Sequence, residues 1–112
     1  MPTVDLDTMA FQIHSNAVEK GFWDPNTEDN HVIFYLKQLA MIHSEVSETL
    51  EAIRKEKGDE QVVEELADIL IRVLDLWAGL VRDGYTKESL QAHLSAKIEK
   101  NISRAKMHGV LA

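Results

Sequence analysis

Residues 59–82 read DEQVVEELADILIRVLDLWAGLVR, and this stretch carries the strongest indication of the fold. Its apolar residues recur at alternating steps of four and three in two adjacent rows, which together cover well over half of a helix. The rows are Val62, Leu66, Ile69, Val73, Leu76 and Leu80, beside Val63, Ala67, Leu70, Leu74, Trp77 and Val81. The polar residues that share the remaining narrow strip are Glu65, Asp68, Arg72 and Asp75. The pattern predicts a central, mostly buried helix that keeps charge along one line.

Three further helices are predicted, at about residues 5–20, at about residues 28–57, and from Thr86 onwards. No stretch alternates as a strand would. Gly21 and Gly84 end the first and third helices, and Asp59 is a candidate N-cap for the third. Short connections between long helices are typical of antiparallel neighbours. The sequence therefore predicts a single all-α domain over residues 1–112, with a four-helix-bundle-like fold.

The second helix carries an apolar seam on one side. Its members are Val32, Leu36, Leu39, His43, Val46, Leu50 and Ile53. This spacing is typical of a packed bundle helix, and we interpret His43 as a core histidine rather than a metal ligand. A di-iron site is disfavoured, because the only Glu-x-x-His spacing is Glu28-x-x-His31, at a helix start.

Two pairs of carboxylates, Glu45-x-x-Glu48 and Glu65-x-x-Asp68, indicate a metal site. Three-residue spacing places both members of a pair on the same side of a helix. Crowded carboxylates repel each other, whereas Mg²⁺ or Mn²⁺ accepts oxygen ligands and neutralises them. Two such pairs facing each other would bind a hard cation, which suggests metal chemistry on a phosphate.

Each pair also has a structural interpretation. Glu45 and Glu48 fit a solvated helix face, since glutamate is common there. Arg72 could pair with Asp68 or Asp75 and make the polar strip a row of salt bridges.

A cationic face on the last helix and an aromatic loop could complete a nucleotide site. Lys97, Asn101 and Arg104 succeed one another at steps of four and three, and they suit a polyphosphate. The alternative for this triplet is a basic, solvated surface. Phe22 and Trp23 either cover the open end of the bundle or stack on a base.

Acidic residues outnumber basic ones, 19 against 12, and the formal net charge is -7. This balance argues against duplex nucleic acid as a partner. The chain has no cysteine, so a metal must be held by oxygen or nitrogen. No apolar run approaches the roughly 20 residues that span a bilayer, and we expect a cytoplasmic protein without a membrane partner. Because 112 residues build only a modest core, we also expect association with further copies.

These residues together resemble the MazG-like family of all-α nucleoside triphosphate pyrophosphohydrolases. The similarity rests on SEVSE at residues 44–48, on EELAD at 64–68, and on KIEKNISR at 97–104 followed by MHG at 107–109. It covers about residues 30–109, whereas the first helix and the aromatic loop match only loosely.

The resemblance implies a Mg²⁺-dependent enzyme, with Mn²⁺ as an alternative ion, that hydrolyses a (deoxy)nucleoside triphosphate to its monophosphate and pyrophosphate. By position, the metal ligands and catalytic carboxylates are Glu45, Glu48, Glu65 and Asp68. The residues that would hold the phosphates are Lys97, Asn101 and Arg104. A metal-polarised water would attack the α-phosphorus. The family also implies a homodimer or a dimer of dimers, with a base pocket near a subunit boundary.

Two other functions stay open. The first is a noncatalytic helical module that senses a nucleotide or a metal, which predicts binding without turnover. The second is a phosphoribosyl-ATP pyrophosphohydrolase, which changes only the substrate. The preferred base depends on side chains that one sequence cannot position: Phe22, Trp23, Phe34, Tyr35 and Gln12.

Overall fold

The computed structural model of the protein describes residues 5–23 and 31–104, which fold into four helices without a strand. The helices are α1 (Leu6–Glu19), α2 (His31–Arg54), α3 (Asp59–Arg82) and α4 (Leu90–Ser103). The predicted all-α fold with four helices is therefore confirmed. The expected start of the second helix near residue 28 and the MHG motif at residues 107–109 lie outside the described residues. Within the described part of the chain, no helix is both long and apolar enough to cross a membrane.

The predicted cap of α3 is wrong, and α4 begins later than expected. Asp59 is the first residue of α3, after Gly58, although its carboxylate still favours the positive end of the helix dipole. The N-cap of α4 is Ser89, whose side chain accepts a hydrogen bond from the Ala92 N–H at 3.0 Å. Thr86 lies in the preceding turn. The glycine ends of α1 and α3 are as predicted, with positive φ at both positions.

α3 packs between α1 and α2 and contributes to both buried clusters. The first cluster contains Ala10, Leu74 and Ala78. The second contains Trp23, Tyr35 and Leu76. Tyr35 of α2 donates its hydroxyl to the carboxylate of Asp83, at the end of α3. Burial and the Asp83 carboxylate raise the pKa of Tyr35 above its ordinary value.

α4 is attached to the rest of the chain mainly through α1. The Asp7 carboxylate of α1 accepts hydrogen bonds from the backbone N–H groups of Leu90, at 2.6 Å, and Gln91, at 3.1 Å. An aspartate at this position satisfies free donors in the first turn of a helix. No residue of α4 is buried, and Ile98 and Ile102 on its apolar face are exposed. The single chain therefore leaves α4 largely uncovered.

The expectation that α3 is mostly buried is wrong for its N-terminal half. Its buried residues all lie between Leu74 and Gly79. Exposed apolar residues earlier in the helix are Val63, Leu66, Leu70, Ile71 and Val73. The seam of α2 is exposed along its length, and His43 is exposed rather than a core residue. Periodicity identifies an apolar face, but it does not reveal whether the same chain covers that face.

Candidate metal centre and adjoining pockets

Three of the four carboxylates that the sequence singles out come together between α2 and α3. Glu45 and Glu48 lie one turn apart on α2, and Glu65 faces them from α3. One oxygen from each of the three carboxylates lies within 4.8 Å of the others, and we call this group the carboxylate cluster. Asp68, one turn further along α3, is exposed and lies outside it. The antiparallel packing of two helices therefore assembles the cluster from both sequence pairs.

The cluster holds more negative charge than its own chain neutralises. The pKa of Glu48 lies above its ordinary value. The main causes are a hydrogen bond with Glu45 and the charge of that residue, and desolvation and the charge of Glu65 act in the same direction. Arg72 acts in the opposite direction. A divalent cation bound at this group would favour its ionised form and so oppose the raised pKa.

Arg72 pairs with Glu45 rather than with Asp68 or Asp75. Its Nε–H donates to the Glu45 carboxylate at 3.0 Å, across the interface between α3 and α2. The hypothesis of a salt-bridge row along α3 is therefore wrong for this residue. The phase of the helices turns Arg72 towards α2, and sequence spacing alone could not indicate that.

A cavity of about 550 Å³, which we call the aromatic pocket, opens among α1, α2 and α3 beside the cluster. Its apolar wall includes Ile13, Phe22, Phe34 and Met41. Its polar side chains include Asn16, Lys20, Lys37 and Gln38. Glu45 and Asp68 also line it, so that carboxylates form one edge of the pocket. The pocket thus offers ring faces and amide groups next to a group of carboxylates.

A second cavity of about 270 Å³, which we call the polar pocket, borders the cluster through different residues. It is lined by Ser44, Ser47, Glu48, Glu51, Ala52, Lys57, Gln61 and Glu65. None of these side chains is aromatic. The carboxylate cluster contributes Glu45 to the aromatic pocket, and Glu48 and Glu65 to the polar pocket.

Asp75 lies in a buried hydrogen-bonded network that the sequence did not reveal. The Trp23 indole N–H donates to its two oxygens, at 2.9 and 3.0 Å, and His14 Nδ1 lies 2.8 Å from Oδ1. An ionised carboxylate only accepts, so Nδ1 carries the proton and Nε2 accepts from Arg82 at 3.3 Å. The only sequence signal for His14 is its position four residues after Ala10, on the same buried face of α1.

Trp23 is buried in this network, whereas its neighbour Phe22 is exposed. The Trp23 ring packs against Phe34, with 4.6 Å between ring centroids, and edge-on against His14 at 4.7 Å. It also covers Gly79, where a Cβ would lie 2.8 Å and 2.9 Å from two indole carbons. Trp23, which the sequence suggested as a nucleotide-binding residue, does not line the aromatic pocket and lies behind its wall. Phe22 is the aromatic residue of this loop that lines the pocket.

The cationic triplet of α4 is not at either pocket. Lys97 and Arg104 are exposed, Asn101 is half-buried, and none of the three lines the aromatic or the polar pocket. Within one chain, the cations that do line them are Lys20, Lys37 and Arg72 in the aromatic pocket and Lys57 in the polar pocket.

The family model of the MazG nucleotide pyrophosphohydrolase domain matches residues 35–108 of the chain. The matched region contains both carboxylate pairs and the cationic face of α4. It excludes α1 and the loop with Phe22 and Trp23, which supply one side of the aromatic pocket. No curated protein and no solved structure matches the chain.

Proposed function

Since the chain belongs to the MazG nucleotide pyrophosphohydrolase family, we propose that it hydrolyses a nucleoside triphosphate to the monophosphate and pyrophosphate. The observation that carries this proposal is the carboxylate cluster at the edge of the aromatic pocket. A nucleotide needs a cation site for its phosphates directly beside a cavity for its base, and the two features adjoin here.

The cluster fits a divalent cation with oxygen ligands. Its three carboxylates approach closely, and the pKa of Glu48 is raised by a hydrogen bond with Glu45 and by the charges of Glu45 and Glu65. Mg²⁺ and Mn²⁺ prefer such ligands. We assign Glu45, Glu48 and Glu65 as ligands, with Asp68 as a fourth at the edge of the pocket. When bound, the ion would neutralise phosphate charge and polarise the attacking water.

The residues around the cluster position its members. The Arg72 guanidinium holds Glu45 from the α3 side and fixes the direction of its second oxygen. Gln61 donates to Glu65 at 3.1 Å and orients that carboxylate in the same way. Hydrogen bonds of this kind set the orientation of a ligand side chain.

The aromatic pocket is proposed to bind the nucleoside. Phe22 and Phe34 offer ring faces on which a base can stack. The amides of Asn16 and Gln38 each offer two donors and an acceptor to the edge of a base. Trp23 stands behind Phe34, so it supports this wall rather than contacting the base.

Lys97, Asn101 and Arg104 are proposed to bind phosphate oxygens. Their chemical types and their shared helix face support this role. Because they line neither pocket in one chain, we propose that they reach the carboxylate cluster of a second copy.

We accordingly propose a homodimer or a dimer of dimers. The exposed seam of α2 and the exposed first half of α3 support it, as does the uncovered apolar face of α4. Apolar faces of this extent are typical of interfaces rather than of free surfaces. Analytical ultracentrifugation tests the proposal, with Leu36→Glu in the α2 seam as the variant expected to dissociate. A wild-type protein that sediments as a folded monomer would contradict it.

The activity is tested by a panel of ribo- and deoxyribonucleoside triphosphates with Mg²⁺ or Mn²⁺, assayed for both monophosphate and pyrophosphate. Phosphoribosyl-ATP belongs in the same panel. We expect release of pyrophosphate from at least one triphosphate, and loss of release in Glu48→Gln with unchanged circular dichroism. If no triphosphate is hydrolysed, the proposed function fails. Calorimetric binding without turnover would then identify the noncatalytic module.

A further inference from the structure

The polar pocket has no role in the function proposed so far, although it shares the carboxylate cluster with the aromatic pocket. We propose that it binds the pyrophosphate half of the substrate and that Lys57 contacts the terminal phosphate. The inference rests on the proposed function, because it takes a nucleoside triphosphate as the ligand.

The two pockets differ in chemistry in the way that the two ends of a nucleoside triphosphate differ. Phe22 and Phe34 stand on the Glu45 side of the cluster. On the Glu48 and Glu65 side, the pocket has hydroxyl groups, an amide and an ammonium group, but no ring. A third carboxylate that lines it, Glu51, is paired with Arg54 and Lys55. The base therefore fits only the aromatic pocket, and the phosphate chain extends from the cluster into the polar pocket.

This direction places the scissile bond at the cluster. An oxygen of water forms the new bond to the α-phosphorus, and the bond from that phosphorus to the bridging oxygen breaks. The bridging oxygen leaves with the electron pair as part of pyrophosphate, while the proton of the water passes to solvent. The leaving group is then already in the polar pocket, on the side away from the nucleoside.

Of the described residues that line the polar pocket, Lys57 is the only cation. The neighbouring cations Arg54 and Lys55 both pair with Glu51, at 3.2 and 3.5 Å. Lys57 has no ion pair within the described residues, so its ammonium group is available to a ligand. A lysine ammonium is a common point-charge partner for phosphate.

The backbone holds Lys57 at the pocket although its side chain is exposed. The Lys57 N–H donates to the Ala52 carbonyl at 3.0 Å, and Glu56 before it has φ +50. These two features form a Schellman ending of α2 with glutamate at the left-handed position, where glycine is usual. The turn thus fixes the Lys57 Cα beside the carboxylates.

Three more side chains can donate to phosphate oxygens. Gln61 gives one amide hydrogen to Glu65, at 3.1 Å, and its second hydrogen remains. The hydroxyls of Ser44 and Ser47 line the pocket on the α2 side. These donors surround the position that Lys57 reaches.

The test separates the two halves of the substrate by product inhibition. Pyrophosphate and the nucleoside monophosphate are used as inhibitors of the wild type, of Lys57→Gln and of Phe22→Ala. Lys57→Gln should weaken inhibition by pyrophosphate about tenfold or more and leave inhibition by the monophosphate unchanged. Phe22→Ala should do the reverse, and Lys57→Arg should behave as the wild type.

Lys55→Gln is the matched control, because it removes the same charge two residues away and its side chain does not line the pocket. If Lys57→Gln behaves as Lys55→Gln does, the inference is overturned, and so it is if Lys97→Gln alone weakens pyrophosphate inhibition. Calorimetry of pyrophosphate with Mg²⁺ measures the same contact without catalysis. A wild type that binds pyrophosphate through Lys57 but hydrolyses no triphosphate would refute the proposed function and not this site.

Discussion

Arg72 of α3 and Glu45 of α2 form an ion pair across the helix interface, with 3.0 Å between Nε and the carboxylate oxygen. The side chain of Glu45 is only 16% exposed, so the pair is sheltered more than a surface salt bridge. Among the residues that the structure describes, Arg72 is also the one cation that pairs with a member of the carboxylate cluster. It therefore neutralises part of the charge that a divalent ion would otherwise neutralise.

Removing Arg72 should strengthen metal binding in the absence of nucleotide. In Arg72→Gln, the Glu45 oxygen that accepted from Arg72 becomes free, and a divalent metal ion is no longer repelled by the guanidinium charge. We expect Mn²⁺ affinity to rise about threefold, which corresponds to a partly exposed ion pair. Calorimetric titration measures the change. Arg54→Gln, which removes an equally charged side chain outside both pockets, should leave the affinity unaltered. Weaker binding in Arg72→Gln would mean that positioning of Glu45 matters more than charge.

The stability of the metal-free protein should fall as pH rises through the acidic range. The folded pKa of Glu48 lies above its ordinary value of 4.5. Its contribution to stability is therefore complete below that value and is lost as the pH rises through the raised pKa. Mg²⁺ should raise the melting temperature most at neutral pH and least in acid, because in acid it must displace the proton. Calorimetric scans between pH 4 and pH 8, with and without Mg²⁺, measure this dependence.

The variant Glu48→Gln should separate stability from catalysis. It keeps the shape of the side chain but removes one charge from the cluster, so the metal-free protein should melt at a higher temperature than the wild type at neutral pH. Mg²⁺ should then stabilise it less. Pyrophosphate release should fall at least about 100-fold, as it does when a preorganised charge contact is removed from an active site. If Glu48→Gln keeps full activity, Glu48 is not part of the active site.

Asp75 should contribute to stability far more than Asp68 does. Asp75→Asn replaces one carboxylate oxygen by an NH2 group that cannot accept, so the buried donors of His14 and Trp23 are left with one acceptor oxygen between them. We expect a loss of about 1–3 kcal/mol in the free energy of unfolding. Asp68→Asn is the matched control, since it is the same exchange at an exposed position of the same helix. Urea denaturation followed by circular dichroism, at one protein concentration, compares the two. Equal losses would contradict a structural role for the network.

The contact of Gly79 with Trp23 predicts that even a methyl group is too large at this position. Gly79→Ala places a Cβ against the indole, and overpacking of this kind costs about 1–3 kcal/mol. Alanine improves helix propensity by at most about 1 kcal/mol, so we expect net destabilisation. A second change, Trp23→Leu, should make Gly79→Ala neutral or stabilising. If the effects of the two substitutions on the free energy of unfolding are additive, the contact with Trp23 is not the cause of the destabilisation.

Local features could be predicted from the sequence, whereas features that depend on which helices pack together could not. The helices and both carboxylate pairs follow from spacing within one segment. Asp75 lies on the same polar strip of α3 as Asp68. It is nevertheless buried, because α1 packs on α3 at that point and places His14 against its carboxylate. Arg72 reaches Glu45 for a similar reason. The exposure of Leu36 and Leu70 could not be predicted, since a periodic apolar face looks the same whether its own chain or another copy covers it.

Trp23 also gives the protein an intrinsic optical probe. Trp23 and Trp77 are its only tryptophans, and Trp77 lies in the other core cluster, beside Phe11. In Trp77→Phe, all indole emission would come from a ring one side chain behind the aromatic pocket, with its N–H on Asp75 and His14 at its edge. Displacement of Phe34 by an entering base would change the wavelength of that emission. Occupancy of the pocket can thus be followed by fluorescence without a label.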